Sequence, residues 1–241
     1  MKERIERLEA HVDALLKLTI GAHERFLFLR PMMINQQLTD RIGNQERAIC
    51  FRQLRGWLYW GLVLEVRKIC SDSSDQSPCI RKFSIALEDA ETIKALEDKC
   101  VKNNREVAPE AELRSEFRGI YSRFTQHSRE MLASNSVGGY KTVRDKLIAH
   151  NELRKSPTGY DFFDDFKELK LKYGDERRLL ETLRELVADL LHLVRNIDFS
   201  WDTFFRQEEK RVCDFWEIES IDGTPLQETS GALGGALNAS Q

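Results

Sequence analysis

The chain has 241 residues, 41% of them hydrophobic and 32% charged, and its formal net charge is −3. These values are typical of a globular protein with a highly charged surface, and they exclude a fibrous or fully disordered chain. Because acidic and basic residues nearly balance, no overall positive field favours nucleic-acid binding, and any polyanion site must be local. The five cysteines contain no CxxC pair, which predicts reduced thiols and a cytoplasmic location.

The first predicted element is a helix over about residues 1–30. Its apolar residues repeat at alternating spacings of three and four, interrupted by Thr19: Ile5, Leu8, Val12, Leu15, Ala22, Phe26 and Leu29. This stripe predicts one buried helix face, and Pro31 is expected to end or kink the helix. The stripe either packs on its own domain, which is the simpler interpretation, or serves as a dimerisation element. The charged start of the chain does not resemble a secretory signal.

The most apolar segment, about residues 44–70, is predicted to be the central core helix, because apolar side chains occur all around it. Its longest apolar run, 57–64, is far shorter than the roughly 20 residues that cross a bilayer, so no membrane association is expected. Residues 71–77 form a loop without the glycines and the Lys-Ser/Thr ending of a phosphate-binding loop. Helix is predicted to resume near Pro78 and to continue to about Lys102.

The second half of the chain is also helical in pattern. Pro109 is expected to start a helix that runs to about residue 133, and 134–139 to form a turn before another helix. A regular leucine spacing predicts the last helix from Asp175 to about residue 205, with Asp175 at its N-terminal cap.

The predicted fold class is therefore all-α. One domain over residues 1–220 would form a bundle of five to seven helices with short connections. The Gly- and Ala-rich segment 221–241 predicts a flexible, disordered tail.

The candidate functional residues lie in the stretch YKTVRDKLIAHNEL, read as a helix over about residues 140–153. Arg144, Asp145, Lys146 and His150 place a guanidinium, a carboxylate, an amine and an imidazole within about two turns. A histidine with a near-neutral pKa can act as a general acid or base, and an arginine can bind two phosphate oxygens at once. RNA supplies its own nucleophile, the 2′-hydroxyl, so such a site could cleave it without a metal ion.

The same stretch carries a resemblance to the HEPN superfamily, whose nucleases have an Arg, a polar residue directly after it and a His four to six residues beyond the Arg. The phrase RDKLIAHNEL, together with the upstream segment SPCIRKFSIALEDAETIKALEDK, is similar to the AbiU-type, abortive-infection branch. The resemblance covers about residues 45–205. It implies an all-helical ribonuclease in which the two motifs of a homodimer face one shared cleft. Glu152 stands where a related subgroup has a nucleotide-accepting Tyr, which puts that mode of regulation in doubt.

The geometry leaves two interpretations of the motif open. A six-residue offset at about 100° per residue places Arg144 and His150 roughly 120° apart on a straight helix, so they do not share one stripe. Arg144 and Asp145 could instead form a surface ion pair, and His150 could interact with unpaired carbonyls at the helix end.

Two functions follow from these residues. The first is a metal-independent endoribonuclease with Arg144, Asp145 and His150 as catalytic residues and with Arg144 and Lys146 binding the RNA phosphate, acting in phage defence or as a toxin beside an antitoxin or regulatory protein. The alternative is a non-catalytic helical module that binds RNA, nucleotide or a protein partner. The sequence lacks HExxH and the paired Glu-x-x-His helices of di-iron bundles, so no metal or other cofactor is expected.

Overall fold

The computed structural model describes residues 1–43, 46–72, 74, 76–143, 153–156, 159–162 and 174–223, with the backbone alone at 153–156 and 159–162. The α-helices in these ranges are α1 Lys2–Ile34, α2 Gln36–Ile42, α3 Glu46–Cys70, α4 Ile80–Ala86, α5 Ala90–Asn104, α6 Glu110–Leu132, α7 Asn135–Val143, α8 Asp175–Leu190 and α9 Trp201–Trp216. One antiparallel hairpin, β1 Leu153–Ser156 with β2 Gly159–Phe162, lies between α7 and α8. The predicted all-α class is confirmed, but the described residues already hold nine helices, more than the five to seven predicted.

Helix α1 is the element around which the bundle is built. It packs against α3, α8 and α9 and against a π-helical turn, Leu191–Arg195, that extends α8. The predicted stripe is its buried face, and Thr19 fits within it because its hydroxyl donates to the carbonyl of Leu15 at 2.9 Å. The helix ends at Ile34, one turn beyond Pro31. The stripe is therefore covered by the chain's own helices, as the simpler interpretation predicted.

Helix α3 is buried only along its second half, where Leu62, Val63 and Val66 are each 1% exposed. In its first half Trp57 is 70% exposed and Ile49 50%. The prediction of a central core helix over residues 44–70 is therefore wrong for that half. Apolar residues all around a helix do not indicate which side of it a neighbour covers, and here α1 and α7 cover one part only.

The extra helices arise where side chains and local backbone interrupt a continuous apolar pattern. Asn35 ends α1 and starts α2, and its Oδ1 accepts the Leu38 N–H at 2.9 Å. Asp89 separates α4 from α5, since its carboxylate accepts the Thr92 N–H at 3.0 Å. Asn196 ends the π-helical turn with a left-handed φ of 56°. Each of these residues stops a helix that the sequence pattern alone would have continued.

Helix α8 forms the other wall of the core. Leu183, Leu186 and Leu190 are fully buried between α8, α1 and α6. After α9 the chain returns to the end of α1, where Ile221 is buried beside Leu27 and Val212. Most of the predicted tail, residues 224–241, lies outside the described residues.

Candidate functional site

The four predicted site residues, Arg144, Asp145, Lys146 and His150, lie outside the described residues. The structure defines the elements on either side of them. Helix α7 ends at Val143, the residue directly before Arg144, and β1 begins at Leu153, three residues after His150. The convergence of the four side chains on one phosphate stays a prediction.

Helix α7 begins earlier than the sequence indicates. Residues 134–139 were predicted as a turn, yet α7 spans Asn135–Val143. The Ser134 hydroxyl accepts the Val137 N–H at 3.3 Å, which caps the helix, and burial of one face offsets the low helix propensity of two glycines. The predicted motif helix over 140–153 is also wrong at its end, because Leu153 lies in a strand.

The inner face of α7 anchors the start of the motif on α3. Val137, Tyr140 and Val143 recur every three residues and are all buried, with Tyr140 only 2% exposed. Burial is the main cause that raises the pKa of Tyr140, and the nearby Tyr59 and Glu176 raise it further. Tyr140 therefore stays neutral and acts as an apolar anchor four residues before Arg144, where the motif begins.

Two carboxylates lie close to this anchor, at the first turn of α8. Asp175 and Glu176 are 7% and 4% exposed, and Glu176 accepts the Gly174 N–H at 3.2 Å. The N-terminal cap is Gly174, with a φ of 92°, and not Asp175 as predicted. Burial, with the charges of Glu176 and Asp175, raises the pKa of Tyr59 to about 12. The region beside α7 is thus rich in neutral phenols and buried acids.

One partly buried cation, Arg67, lies in the last turn of α3. Arg67 is half-buried, and its Nε and Nη1 atoms are buried with no hydrogen-bond partner in the described part of the chain. Burial raises the pKa of the Cys70 thiol to about 12, and the Arg67 charge opposes that rise. Cys70 in turn acts on Tyr140. Cys70 is therefore within electrostatic range of both Arg67 and Tyr140.

A guanidinium in this state is unfavourable unless an anion binds it, because a buried polar group without a partner loses its hydration without compensation. Three charged residues, Glu65, Arg67 and Lys68, lie near the end of α3. Lys68 is exposed, and Glu65 is paired with Arg25. Of the three, Arg67 is the one with buried donor atoms that have no hydrogen-bond partner among the described residues.

An open cleft of about 510 Å³ adjoins the start of α7, between α6 and α8. Its polar lining includes His127, Ser134, Ser136, Arg178 and Thr182. Sequence reasoning missed this cleft, since its lining residues come from separate helices and have no common spacing. Within the described residues, no group of His, Cys, Asp and Glu is placed to hold a metal ion.

Comparison with known proteins gives one match. A family model for AbiU2, a HEPN family, matches residues 5–215, which include the motif and all nine helices except the ends of the first and last. The chain belongs to the AbiU2 family of HEPN proteins. The resemblance seen over residues 45–205 is confirmed and extends to α1 and α9. No curated protein and no solved structure shows significant similarity to the chain.

The family assignment identifies the Arg–His motif as the segment that the described helices lead to. In this AbiU2 protein the Arg–His motif follows directly from α7, which packs on α3 through a face that includes Tyr140. No helix among the described residues has the length and apolar character needed to cross a membrane.

Proposed function

We propose that this AbiU2 protein is a metal-independent endoribonuclease that acts in the cytoplasm, in phage defence or as the toxin of a toxin–antitoxin pair. The observation that carries the proposal is the family match, which includes an Arg, an acidic residue directly after it and a His at the superfamily's spacing, in Arg144, Asp145 and His150. The surroundings are compatible with it, since the buried Nε and Nη1 of Arg67 at the end of α3 have no hydrogen-bond partner among the described residues.

In the proposed reaction, the 2′-hydroxyl of the RNA attacks the adjacent phosphorus, and the bond to the 5′-oxygen of the next nucleotide breaks. The products are a 2′,3′-cyclic phosphate and a 5′-hydroxyl. One His150 removes the proton from the 2′-hydroxyl or delivers a proton to the leaving oxygen. Arg144 neutralises the non-bridging oxygens as charge develops, Lys146 adds positive charge, and Asp145 orients the motif.

A homodimer would supply both proton transfers, because His150 of one copy could act as the base and His150 of the second copy as the acid. Since the stripe of α1 packs within the chain, the exposed first half of α3, with Leu54 37% and Trp57 70% exposed, is our proposed dimer surface among the described helices. Light scattering at micromolar concentration tests this, and Trp57→Glu should shift a dimer to a monomer.

The decisive experiment is cleavage of a defined RNA in excess EDTA. We expect products that end in 2′,3′-cyclic phosphate, a loss of about 10²–10⁴-fold in rate for His150→Ala, and a loss of about 10²–10³-fold for Arg144→Ala. His192→Ala is the matched control, because His192 is a partly exposed histidine outside the motif. Cleavage that is equal in all three variants would refute the proposal and favour a non-catalytic binding module.

A further inference from the structure

A second polar pocket lies between the start of α1 and α4. It has a volume of about 200 Å³, and the polar residues that line it in the described part of the chain are Arg4, Arg7, His11 and Lys82. Leu8, Phe83 and Ala86 are the apolar lining residues, and no acidic residue is among the described residues that line the pocket. In a chain with a net charge of −3, this is a local concentration of positive charge.

The pocket's cations are held in place by the fold. Lys82 donates from Nζ to the carbonyls of Ser77 and Ser74, and an ammonium has three donors, so one remains for a ligand. Arg4 donates from Nη1 to Asp89 at 2.7 Å, which fixes its guanidinium at the rim. The positions of these side chains are therefore set before a ligand binds, which lowers the entropy cost of binding.

Two of these cations, Arg7 and Lys82, act electrostatically on His11. Burial lowers the pKa of His11, and the charges of Arg7 and Lys82 lower it further. The apolar side, formed by Leu8 and Phe83, excludes water from one half of the pocket and strengthens the field inside it. Since a water molecule in the liquid takes about 30 Å³, the space suits one compact anion together with a few waters.

We propose that this pocket binds a phosphate group, which Arg7 and Lys82 hold by charge-assisted hydrogen bonds while His11 contacts it from the side. The phosphate could be free or part of an oligonucleotide, because the recognising chemistry is the same. The site does not depend on the proposed cleavage reaction. It would be a binding site additional to the Arg144–His150 motif.

The test uses the full-length protein with two probes. Isothermal titration measures binding of inorganic pyrophosphate, and fluorescence anisotropy measures binding of a labelled single-stranded DNA, which lacks the 2′-hydroxyl and cannot be cut by the proposed reaction. Arg7→Met and Lys82→Met should each weaken pyrophosphate binding by about tenfold or more, as loss of a hydrogen bond to a charged group does. Arg206→Met, an exposed site on α9 beside Phe205, removes the same charge and should change nothing.

A substitution of Asp89 is expected to strengthen binding, and it leaves the residues that line the pocket unchanged. Asp89→Asn keeps an acceptor for the Thr92 N–H, so α5 stays capped, but it removes the negative charge beside Arg4. Pyrophosphate should then bind more tightly. If the phosphate belongs to a single-stranded oligonucleotide, its binding constant should also depend less steeply on salt in Arg7→Met. The slope of log K against log salt concentration should become shallower by about 0.7.

The outcomes are distinct. Pyrophosphate binding that is lost in Arg7→Met and Lys82→Met, with DNA binding unchanged, assigns the site to a small phosphate ligand. Loss of both assigns it to an oligonucleotide backbone. No measurable pyrophosphate binding, or an equal loss in Arg206→Met, overturns the proposal. None of these results depends on whether His150 is catalytic.

Discussion

Arg25 and Glu65 form a two-pronged ion pair that joins α1 to α3, with Nε and Nη2 of Arg25 lying 3.0 and 2.7 Å from the two carboxylate oxygens. Gly61, one turn before Glu65, makes room for it. A Cβ at position 61 would lie 2.9 Å from Nη1 of Arg25. The pair therefore depends on a glycine that helix propensity alone would disfavour.

Gly61→Ala tests this dependence. Alanine should stabilise α3 by about 1 kcal/mol through helix propensity, but the methyl group displaces Arg25 from Glu65 and offsets part of that gain. In an Arg25→Met background the full gain should appear. The measurement is urea unfolding of the four variants as a double-mutant cycle. An equal effect of Gly61→Ala in both backgrounds would show that the glycine does not serve the ion pair.

Arg67→Met should increase stability in phosphate-free buffer by about 1–3 kcal/mol, because it removes a buried cation whose Nε and Nη1 lack partners among the described residues. The same change should lower kcat/KM for RNA if Arg67 helps to bind the substrate phosphate, and Arg67→Lys should retain part of the activity. Lys68→Met is the exposed control on the same turn. A variant that loses stability and keeps full activity would instead give Arg67 a structural role.

His23 should make the fold sensitive to acid. It is 3% exposed between Trp201 and Phe205, and burial, aided by the Arg184 charge, lowers its pKa from 6.5 to about 4. Between these two pH values the unfolded chain binds the proton and the folded chain does not. Stability should therefore fall as the pH falls from 6.5 to 4, by up to roughly 3 kcal/mol.

The measurement is urea unfolding at pH 7.0, 5.5 and 4.5. His23→Phe keeps an aromatic ring in the cluster and removes the titration, so its stability should depend less steeply on pH. His192→Phe, which changes a histidine that is 25% exposed, is the control. The same pH dependence in wild type and His23→Phe would contradict the assignment.

Asn35→Ala should destabilise the protein by about 1–3 kcal/mol, because the fully buried Asn35 side chain serves two partners. Its Oδ1 accepts from Leu38, and its Nδ2 donates to the carbonyl of Ser220 at 2.9 Å. Gln36→Ala, on an exposed neighbour, should cost much less. Chemical denaturation measures both, and similar losses would mean that the link from α1 to residues 220–221 contributes little.

The sequence predicted the fold best for helices whose apolar residues lie on one face. The spacing of Leu8, Val12 and Leu15 predicted the buried side of α1, and that side is buried. It failed for α3, because Ile49 and Trp57 belong to an apolar helix whose covered side depends on its neighbours. It also failed at Asp89, whose side chain caps the start of a new helix, α5, at a position without a proline or glycine.

For the candidate site, the sequence could supply residue types and spacing but not surroundings. Arg144 and His150 were found from a motif, and their geometry stays a prediction. Arg67 lies in the last turn of an apolar helix, and the partial burial of its side chain depends on which neighbouring helices pack there. The pocket around Arg7 and Lys82 joins residues 75 positions apart in the chain, a distance that local patterns do not span.

The long contact between α1 and α8 bears on how the protein is made. The ribosome completes α1 by residue 34, but α8 begins only at Asp175. At a synthesis rate of about 5–20 residues per second, roughly 7–30 s pass between the completion of α1 and the start of α8, which packs against its stripe. A chain truncated before α8 would keep that stripe exposed and would be bound by chaperones or degraded. The Arg–His segment is synthesised some 25 residues before α8 begins. Synthesis of the whole domain is therefore required before this segment is attached to a complete core.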